Sequence, residues 1–412
     1  VTFALALVAW VCLAPDSPAG EWPQILGPNR NGIAADDEKL ADRWPDGGPK
    51  VLWQHEAGDG FAGVAVAGGK AVLFHRVEDQ EVAQCLDAAT GKPLWKASFA
   101  TAFRSEYSSD HGPRCVPVIH KDRVIVFGAG GDLHCLSLAA GRKLWSRAAF
   151  KDFGAPNGYF GAGSSPIVVG DKVLVNVGGS RQEAGIVAFS LEKGETLWKA
   201  TDNAASYSSP ILVKLGPAAQ RVIFVTRIQT LAIDPENGKV DWTMRFGALG
   251  PTVNAANPLV IDGHLFLSSS YGIGAVYAKL TPRGPEVAWK NDDVMSSQFT
   301  TCVAKDGYLY GIDGREDVGE AQLRCIDPKA GKVVWSKDGL GKGSLLLADS
   351  KLVIQTTAGK LYLAEASPEG YRELASAAVA GPKTFALPAL AGGKLYVRSP
   401  EALKCLEVAP RE

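Results

Sequence analysis

Six histidines and seven cysteines are scattered along the 412 residues without any metal or haem spacing. There is no His-x-His pair, no His-Glu-x-x-His and no Cys-x-x-Cys-His, so neither a zinc site nor covalently attached haem is expected. Gly-x-Ser-x-Gly is absent, as is a phosphate-binding loop, which argues against an esterase elbow and against nucleotide chemistry. No two cysteines are adjacent. Charge of one sign is also missing: 43 Lys and Arg stand against 44 Asp and Glu, for a net charge of -1. Without a basic face, nucleic acid is not an expected partner. Apolar periodicity of the helical kind does not extend over a dozen residues anywhere beyond the N-terminus.

The longest apolar run, Thr2 to Leu13, is followed by Ala14-Pro15-Asp16-Ser17-Pro18-Ala19-Gly20. It reads as the hydrophobic and cleavage parts of a signal peptide over residues 1–20, without a basic n-region. A dozen residues are too few to span a bilayer. Cys12 follows Trp10-Val11, where a lipobox needs a small residue. The expectation is export to the periplasm, the cell envelope or the extracellular space, with no membrane span.

What the sequence has in quantity is glycine, 46 residues, with 46% apolar and 8% aromatic residues, as befits a packed protein with many tight turns. The glycines are not random. An apolar pair, then Asp or Ser, three residues, Gly, three residues and Trp recur. The phrase stands as Cys85-Leu86-Asp87 with Gly91 and Trp95, and as Cys135-Leu136-Ser137 with Gly141 and Trp145. It returns at Ala188-Phe189-Ser190 with Gly194 and Trp198, at Ala232-Ile233-Asp234 with Gly238 and Trp242, and at Cys325-Ile326-Asp327 with Gly331 and Trp335. Gly284 and Trp289 are a looser copy, and Gly370 with Leu374 a decayed one. Alternating apolar residues make a half-buried strand, the Asp or Ser accepts turn N–H groups, and Gly supplies the positive φ. Two further short strands precede each phrase, as in Ser165 to Val169 and Lys172 to Asn176. Four antiparallel strands in roughly 45 residues are a propeller blade.

Seven such units run from about Phe61 to Val379, and Ala386 to Val408 holds three more strands. The strand they lack stands at the other end, where Gly48-Pro49-Lys50-Val51-Leu52-Trp53 repeats the spacing of Gly284 to Trp289. An eight-bladed, all-β propeller over residues 50–408, its last blade closed by the strand around Trp53, is therefore expected, with residues 21–49 as a lead-in packed on it. Seven blades with Trp53 in coil is the alternative.

The phrase resembles the repeat of the pyrroloquinoline-quinone (PQQ) enzymes, Tyr-Ala-Leu-Asp-x-x-x-Gly-x-x-x-Trp, shared by quinoprotein dehydrogenases and by the BamB family of outer-membrane assembly lipoproteins. Trp22-Pro23-Gln24 through Gly27-Pro28-Asn29-Arg30-Asn31-Gly32 is similar to the start of exported proteins with this repeat. The resemblance implies the propeller fold. It also implies two functions: a non-catalytic envelope scaffold of the BamB kind, or a PQQ- and calcium-dependent alcohol or sugar dehydrogenase. Many such enzymes carry adjacent cysteines over the cofactor and are longer, so no cofactor, catalytic residue or metal ligand is assigned.

Cys85, Cys135, Cys325 and Cys405 occupy one repeat position, where Ala188 and Ala232 stand in other blades. They and Cys115 and Cys302 are expected as separate small buried residues, not disulfides. Binding is expected in the loops that lead from a Trp strand into the next blade, because these gather at one channel mouth and the first two are longer than turning requires. They carry Arg104, Glu106, Tyr107, Asp110, His111 and Arg114, then Asn157, Tyr159 and Phe160, while shorter loops add Tyr207, Asn254, Asn257 and Gln298. Mixed charges, amides and aromatics suit a protein, peptide or polysaccharide ligand, and truncating Arg104, Arg114 or Tyr159 is expected to weaken binding without loss of stability. The short stretches Gly128 to Gly131 and Gly178-Gly179 read as turns. A monomer is the expected state.

Overall fold

The computed structural model describes residues 20–215, 219–315, 317–319 and 321–410. The leader expected over 1–20 (Gly20 apart) and Cys12 lie outside the described residues. Thirty-two strands form eight four-stranded antiparallel sheets. Blades 1 to 7 are contiguous over 65–100, 118–148, 167–200, 211–245, 259–291, 303–337 and 343–378. Blade 8 takes Ala389–Ala391, Lys394–Arg398 and Ala402–Glu407, and its outer strand is Lys50–Glu56. Lys50 pairs with Glu407 and Trp53 with Cys405, so the ring of eight closes between the two ends of the propeller. Closure gives partners to backbone groups that would otherwise form an open sheet edge.

Each part of the repeat has a local cause. Asp87 Oδ1 accepts N–H groups of Ala89 (3.1 Å) and Thr90 (2.8 Å), and Gly91 donates to the Asp87 carbonyl at 2.8 Å. Asp327 Oδ1 does the same for Lys329 and Ala330 at 2.9 and 3.0 Å. The small residue of the phrase lies directly opposite its Trp: Cys85 pairs with Trp95, Cys135 with Trp145, Ala188 with Trp198 and Cys325 with Trp335. A larger side chain there would crowd the indole. All six described cysteines are buried and free.

The glycine answers a second demand that the local reading does not contain. At Gly238, where φ is +77°, an added Cβ would stand 2.6 Å from the Trp198 ring of the preceding blade. The same holds at Gly91, where it would meet Trp53 of blade 8 at 2.6 Å. Indole N–H groups also reach forward, that of Trp242 excepted: Trp53 donates to Ala88 O at 3.1 Å, Trp95 to Leu138 O at 2.8 Å, Trp145 to Leu191 O at 2.9 Å and Trp198 to Pro235 O at 3.1 Å. Turn and tryptophan thus form a clamp between successive blades. Core layers likewise lie between blades, as where Val72 and Phe74 of blade 1 meet Val124, Val126 and Leu136 of blade 2.

The clamp fails at the seam of blades 7 and 8, where the register places Ala375, and not the expected Leu374, in the position of Trp, opposite Leu363. There Leu40 and Trp44 of the N-terminal segment bury into a cluster with Leu361, Leu363, Leu390 and Leu395. The same segment crosses the channel axis. Trp22 exchanges N–H···O bonds of 2.7 and 2.8 Å with Val66 of blade 1, Ile119 of blade 2 donates to Pro23 O at 2.8 Å, and Ala34 donates to Leu347 O of blade 7 at 2.9 Å. Arg30, 2% exposed, donates to the carbonyls of Ser165 and Pro166 at 2.8 Å each. Burial lowers its pKa to about 9.

Two details differ from the sequence reading. Gly178 and Gly179 do not turn the chain but end the strand Lys172–Gly179, and the reversal follows in the single 3₁₀ turn Ser180–Gln182. A short helix, Ala149–Phe153, opens the connection from blade 2 to blade 3 and ends at Gly154 with φ 61°. Five residues are too few to show a helical period in sequence.

Candidate functional site at the channel mouth

The connection between blades 1 and 2 is held by its own charged residues. Asp110 accepts the N–H groups of Gly60 at 2.7 Å and Gly112 at 2.9 Å, and pairs with Arg114 at 3.0 Å. Arg114 also donates to Phe160 O at 3.0 Å, and its guanidinium lies 5.5 Å over both the Phe61 and the Phe160 rings. Burial lowers its pKa, with Asp110 opposing. His111 Nδ1 accepts the Ser105 N–H at 3.1 Å. Arg104, by contrast, is exposed and paired with Asp79 at the surface. The structure argues against a neutral effect of truncating Arg114 on stability: its side chain is a partly buried brace between two long loops, and removing it leaves Asp110 without its cation.

Beside this brace the loops enclose a cavity of about 420 Å³ between blades 3 and 4. Glu106, Tyr107, Asn157, Tyr159 and Tyr207 of the sequence-derived candidates line it. The rings form a continuous row: Tyr107 meets Tyr159 edge-on at 4.9 Å, Tyr159 lies 6.2 Å from Phe160, and Phe160 lies 5.6 Å from Tyr207. The Phe160 N–H donates to the Tyr207 hydroxyl at 2.9 Å, which fixes that ring in the wall. Tyr107 is 62% exposed, an apolar ring edge offered to solvent. Arg227 stands 5.4 Å over the Tyr159 ring, and Tyr159 Oη donates to Gly250 O at 3.4 Å, drawing the connection from blade 4 to the same rim.

The remaining candidates are placed elsewhere. Asn254 is buried, and its amide N–H groups go to the carbonyls of Thr226 at 2.9 Å and Arg227 at 3.2 Å. Asn257 Oδ1 accepts the Ser209 N–H at 2.8 Å. This bond is one link of a belt: Val116 N–H to Ser165 Oγ and Ser165 N–H to Ser209 Oγ at 2.8 Å, then Asn257 N–H to Thr301 Oγ1 at 2.9 Å. The belt ties blades 2 to 6 together just before their innermost strands. Its sequence signal is a small polar residue ahead of Pro166, Pro210 and Pro258. Gln298 donates to the Tyr271 hydroxyl at 3.1 Å, beside a second depression with Arg315 and Asp292 in its wall.

Sequence reasoning missed Phe150, Ser164, Asn176 and Arg227, all of which line the cavity. Arg227 sits in a short turn that length alone does not single out. Asn176 did leave a signal, as the one amide within the apolar run Val173-Leu174-Val175-Asn176-Val177. Among the described residues no group of three or more His, Cys, Asp or Glu side chains is arranged to hold a metal ion.

The chain is similar to known proteins of more than one kind. The crystal structure of quinohemoprotein alcohol dehydrogenase from Comamonas testosteroni superposes with a TM-score of 0.70 at 13% identity, covering 97% of this chain and 82% of that one. BamB from Moraxella catarrhalis superposes with a TM-score of 0.62 at 15% identity, covering 88% of this chain and 98% of that one. At such identities both likenesses establish the propeller alone. In sequence, the outer membrane protein assembly factor BamB of Burkholderia pseudomallei (strain K96243) is 23% identical over 267 residues, 63% of this chain and 62% of that protein. The match thus spans less than two thirds of the relative. The family profile described as outer membrane protein assembly factor BamB matches residues 78–337, most of the ring, and by that match the chain belongs to this PQQ-like repeat family.

Proposed function

We propose that this chain is a non-catalytic scaffold of the cell envelope that holds an extended polypeptide at its loop-rich mouth during outer-membrane protein assembly. The observation that carries the proposal is the row of tyrosines around the cavity between blades 3 and 4, joined at its rim by one cation, Arg227, and one carboxylate, Glu106. Rigid aromatic side chains contribute large contact area at small cost in conformational entropy. Mixed rim charge favours a mixed-sequence chain over a polyanion. Membership of the BamB family and the Burkholderia relative support the assembly role. An exported protein fits both, and among the described residues no helix is long and apolar enough to cross a membrane.

A calcium-bound PQQ does not fit the residues present. Asp110 is engaged by Arg114 and two backbone N–H groups, and the Asn257 oxygen belongs to the inter-blade belt. With these oxygens engaged, no step is derived through that cofactor.

The test is fluorescence anisotropy with labelled peptides cut from outer-membrane β-barrel strands. Wild-type protein is expected to bind a subset of them, and Tyr107→Ala with Tyr159→Ala to weaken binding at least tenfold with an unchanged melting temperature. Binding that is indifferent to both substitutions would place the partner elsewhere on the ring. Retention of PQQ and calcium through desalting, with dye-linked alcohol oxidation, would replace the proposal with the enzymatic one.

A further inference from the structure

The sequence holds three Asn-Gly pairs: Asn31-Gly32, Asn157-Gly158 and Asn237-Gly238. Such a pair carries chemistry of its own. The glycine nitrogen can attack the carboxamide carbon of the asparagine before it, because glycine has no Cβ to block the approach. In a folded protein two conditions govern the attack. The nitrogen must be free of its own hydrogen bond, and the carboxamide must be free to swing onto it; otherwise the segment has to open locally first. Two of the pairs meet neither condition. Gly32 N–H donates to Leu26 O at 2.9 Å, and Asn31 Oδ1 accepts the Ile33 N–H at 3.1 Å. Gly238 N–H donates to Asp234 O at 2.9 Å, Asn237 Oδ1 accepts the Lys239 N–H at 2.9 Å, and Gly238 lies under Trp198 in the clamp. Asn157-Gly158 differs on each count. Neither the Asn157 side chain nor the Gly158 N–H has a hydrogen-bond partner among the described residues, and Asn157 is exposed.

We infer that Asn157-Gly158 is a self-modification site on the rim of the mouth, and that its isoaspartyl product takes Tyr159 out of the aromatic row. The Gly158 nitrogen bonds to Asn157 Cγ and gives up its proton, Nδ2 leaves as ammonia, and a five-membered succinimide joins the two residues. Water then opens the ring. Attack at Cγ gives aspartate. Attack at the electron-poorer α-carbonyl gives isoaspartate, in which the main chain runs through Cγ and is one methylene longer. Nothing is oxidised or reduced, and water is the sole co-reactant. The added methylene enters a stretch with little slack. Before it, the Ala155 N–H donates to Phe150 O of the short helix at 2.8 Å. Beyond it, Tyr159 O accepts the Ser105 hydroxyl at 2.9 Å, and Phe160 is tied through its N–H to Tyr207 and through its carbonyl to Arg114. The Tyr159 ring itself is held by ring contacts, the Arg227 stack and a bond of 3.4 Å to Gly250 O, so it is the part that yields. The new carboxylate also joins Glu106 in the cavity wall, where Arg227 is the one cation, and turns an even charge balance acidic.

The modification and the movement of Tyr159 stand on the chain alone; a resulting loss of binding rests on the polypeptide reading of the mouth, and the test separates them. Freshly purified full chain is aged in mildly alkaline buffer. Peptide mapping by mass spectrometry follows all three Asn-Gly pairs, with an endoprotease that cuts before aspartate but not before isoaspartate to tell the products apart. In tyrosine-labelled protein the Tyr159 ring signals, assigned by their loss in Tyr159→Phe, are followed over the same period. Asn157 is expected to convert at least tenfold faster than Asn31 or Asn237, chiefly to isoaspartate, with the Tyr159 signals moving in step. Asn157→Gln, which would have to close a six-membered ring, is expected to show neither change. Equal rates at the three pairs, or an Asn157 that outlasts the others, would overturn the site. Isoaspartate beside an unmoved Tyr159 would overturn its release from the row. The labelled β-barrel peptides are then offered to fresh and aged protein. Affinity is expected to fall at least tenfold on ageing, and to stay at its own starting value in Asn157→Gln. Peptides that bind neither preparation, or that bind the aged protein as tightly as the fresh one although Tyr159 has moved, would sink the mouth reading and leave the modification standing.

Discussion

Arg104 and Arg114 stand on the same long connection and look alike in sequence, yet the fold gives them opposite tasks. Arg104 is half exposed and paired with Asp79, itself largely in solvent. Such pairs contribute little, so Arg104→Ala is expected to change stability by no more than about 0.5 kcal/mol. Arg114 is partly buried between Asp110, two aromatic faces and the Phe160 carbonyl. Arg114→Ala should cost about 2 kcal/mol, between what an exposed and a fully buried pair contribute. Urea unfolding of the two variants decides this, and similar midpoints would remove the bracing role. Asn254 and Asn257 teach the same lesson. Their residue types suit a binding loop, but amide chemistry is as useful for tying backbone to backbone, and only the facing carbonyl or N–H shows which use applies.

At the level of the blade, glycine and tryptophan act as one device reaching from each blade to the next. Trp198→Ala is expected to destabilise by about 3 kcal/mol, as a core aromatic truncation at a partly buried site. Gly238→Ala meets two obstacles, the φ of +77° and the Trp198 ring 2.6 Å from the new methyl. Removing the indole relieves the second but not the first. The double variant should therefore be markedly less destabilised than the sum of the singles, by at least about 1 kcal/mol. Additivity would separate the turn from the clamp. The phrase itself, including the Asp-capped turn and the small residue opposite Trp, was legible in sequence because strand alternation and turn chemistry are local. The clamp was not, since its two halves lie in different repeats.

A second inter-blade link is electrostatic. Glu81 of blade 1 is buried and accepts the Ala129 N–H of blade 2 at 2.7 Å. Burial raises its pKa from 4.5 to about 7, against the pull of that hydrogen bond. Because the folded state holds the proton more tightly than the unfolded chain, this group's contribution is fully present below pH ~4.5 and is lost as pH rises through about 7. His75 and His134 act oppositely: burial lowers both to about 4, so their contribution is lost as pH falls. Glu81→Gln isolates the acid. Its melting temperature relative to wild type should be higher at pH 8 than at pH 4.5, and a difference independent of pH would show that Glu81 does not titrate in this range.

For the whole molecule, circular closure decides both stability and the gathering of the loops. Deleting residues 48–57 would leave Ala402–Glu407 as an open edge and remove the Trp53 clamp on Gly91. The shortened chain is expected to melt well below wild type and to self-associate in size-exclusion chromatography. A synthetic peptide of residues 48–57 should restore the monomeric elution. An unchanged melting temperature would mean the ring does not depend on this strand.

By itself, the sequence determined the repeat and its four strands, and it favoured eight blades closed by the strand around Trp53 over seven. All of these follow from short-range periodicity and from turns that only certain residues make. It also pointed to the tyrosines at the mouth, through loop length. Tertiary structure alone decided which loop residues face a cavity and which brace the scaffold. It also set Trp22 against the inner strand of blade 1 and Arg30 against the entry to blade 3, and left one amide in blade 3 unpartnered, because burial and pairing are relations between residues far apart in the chain, and no local pattern encodes them.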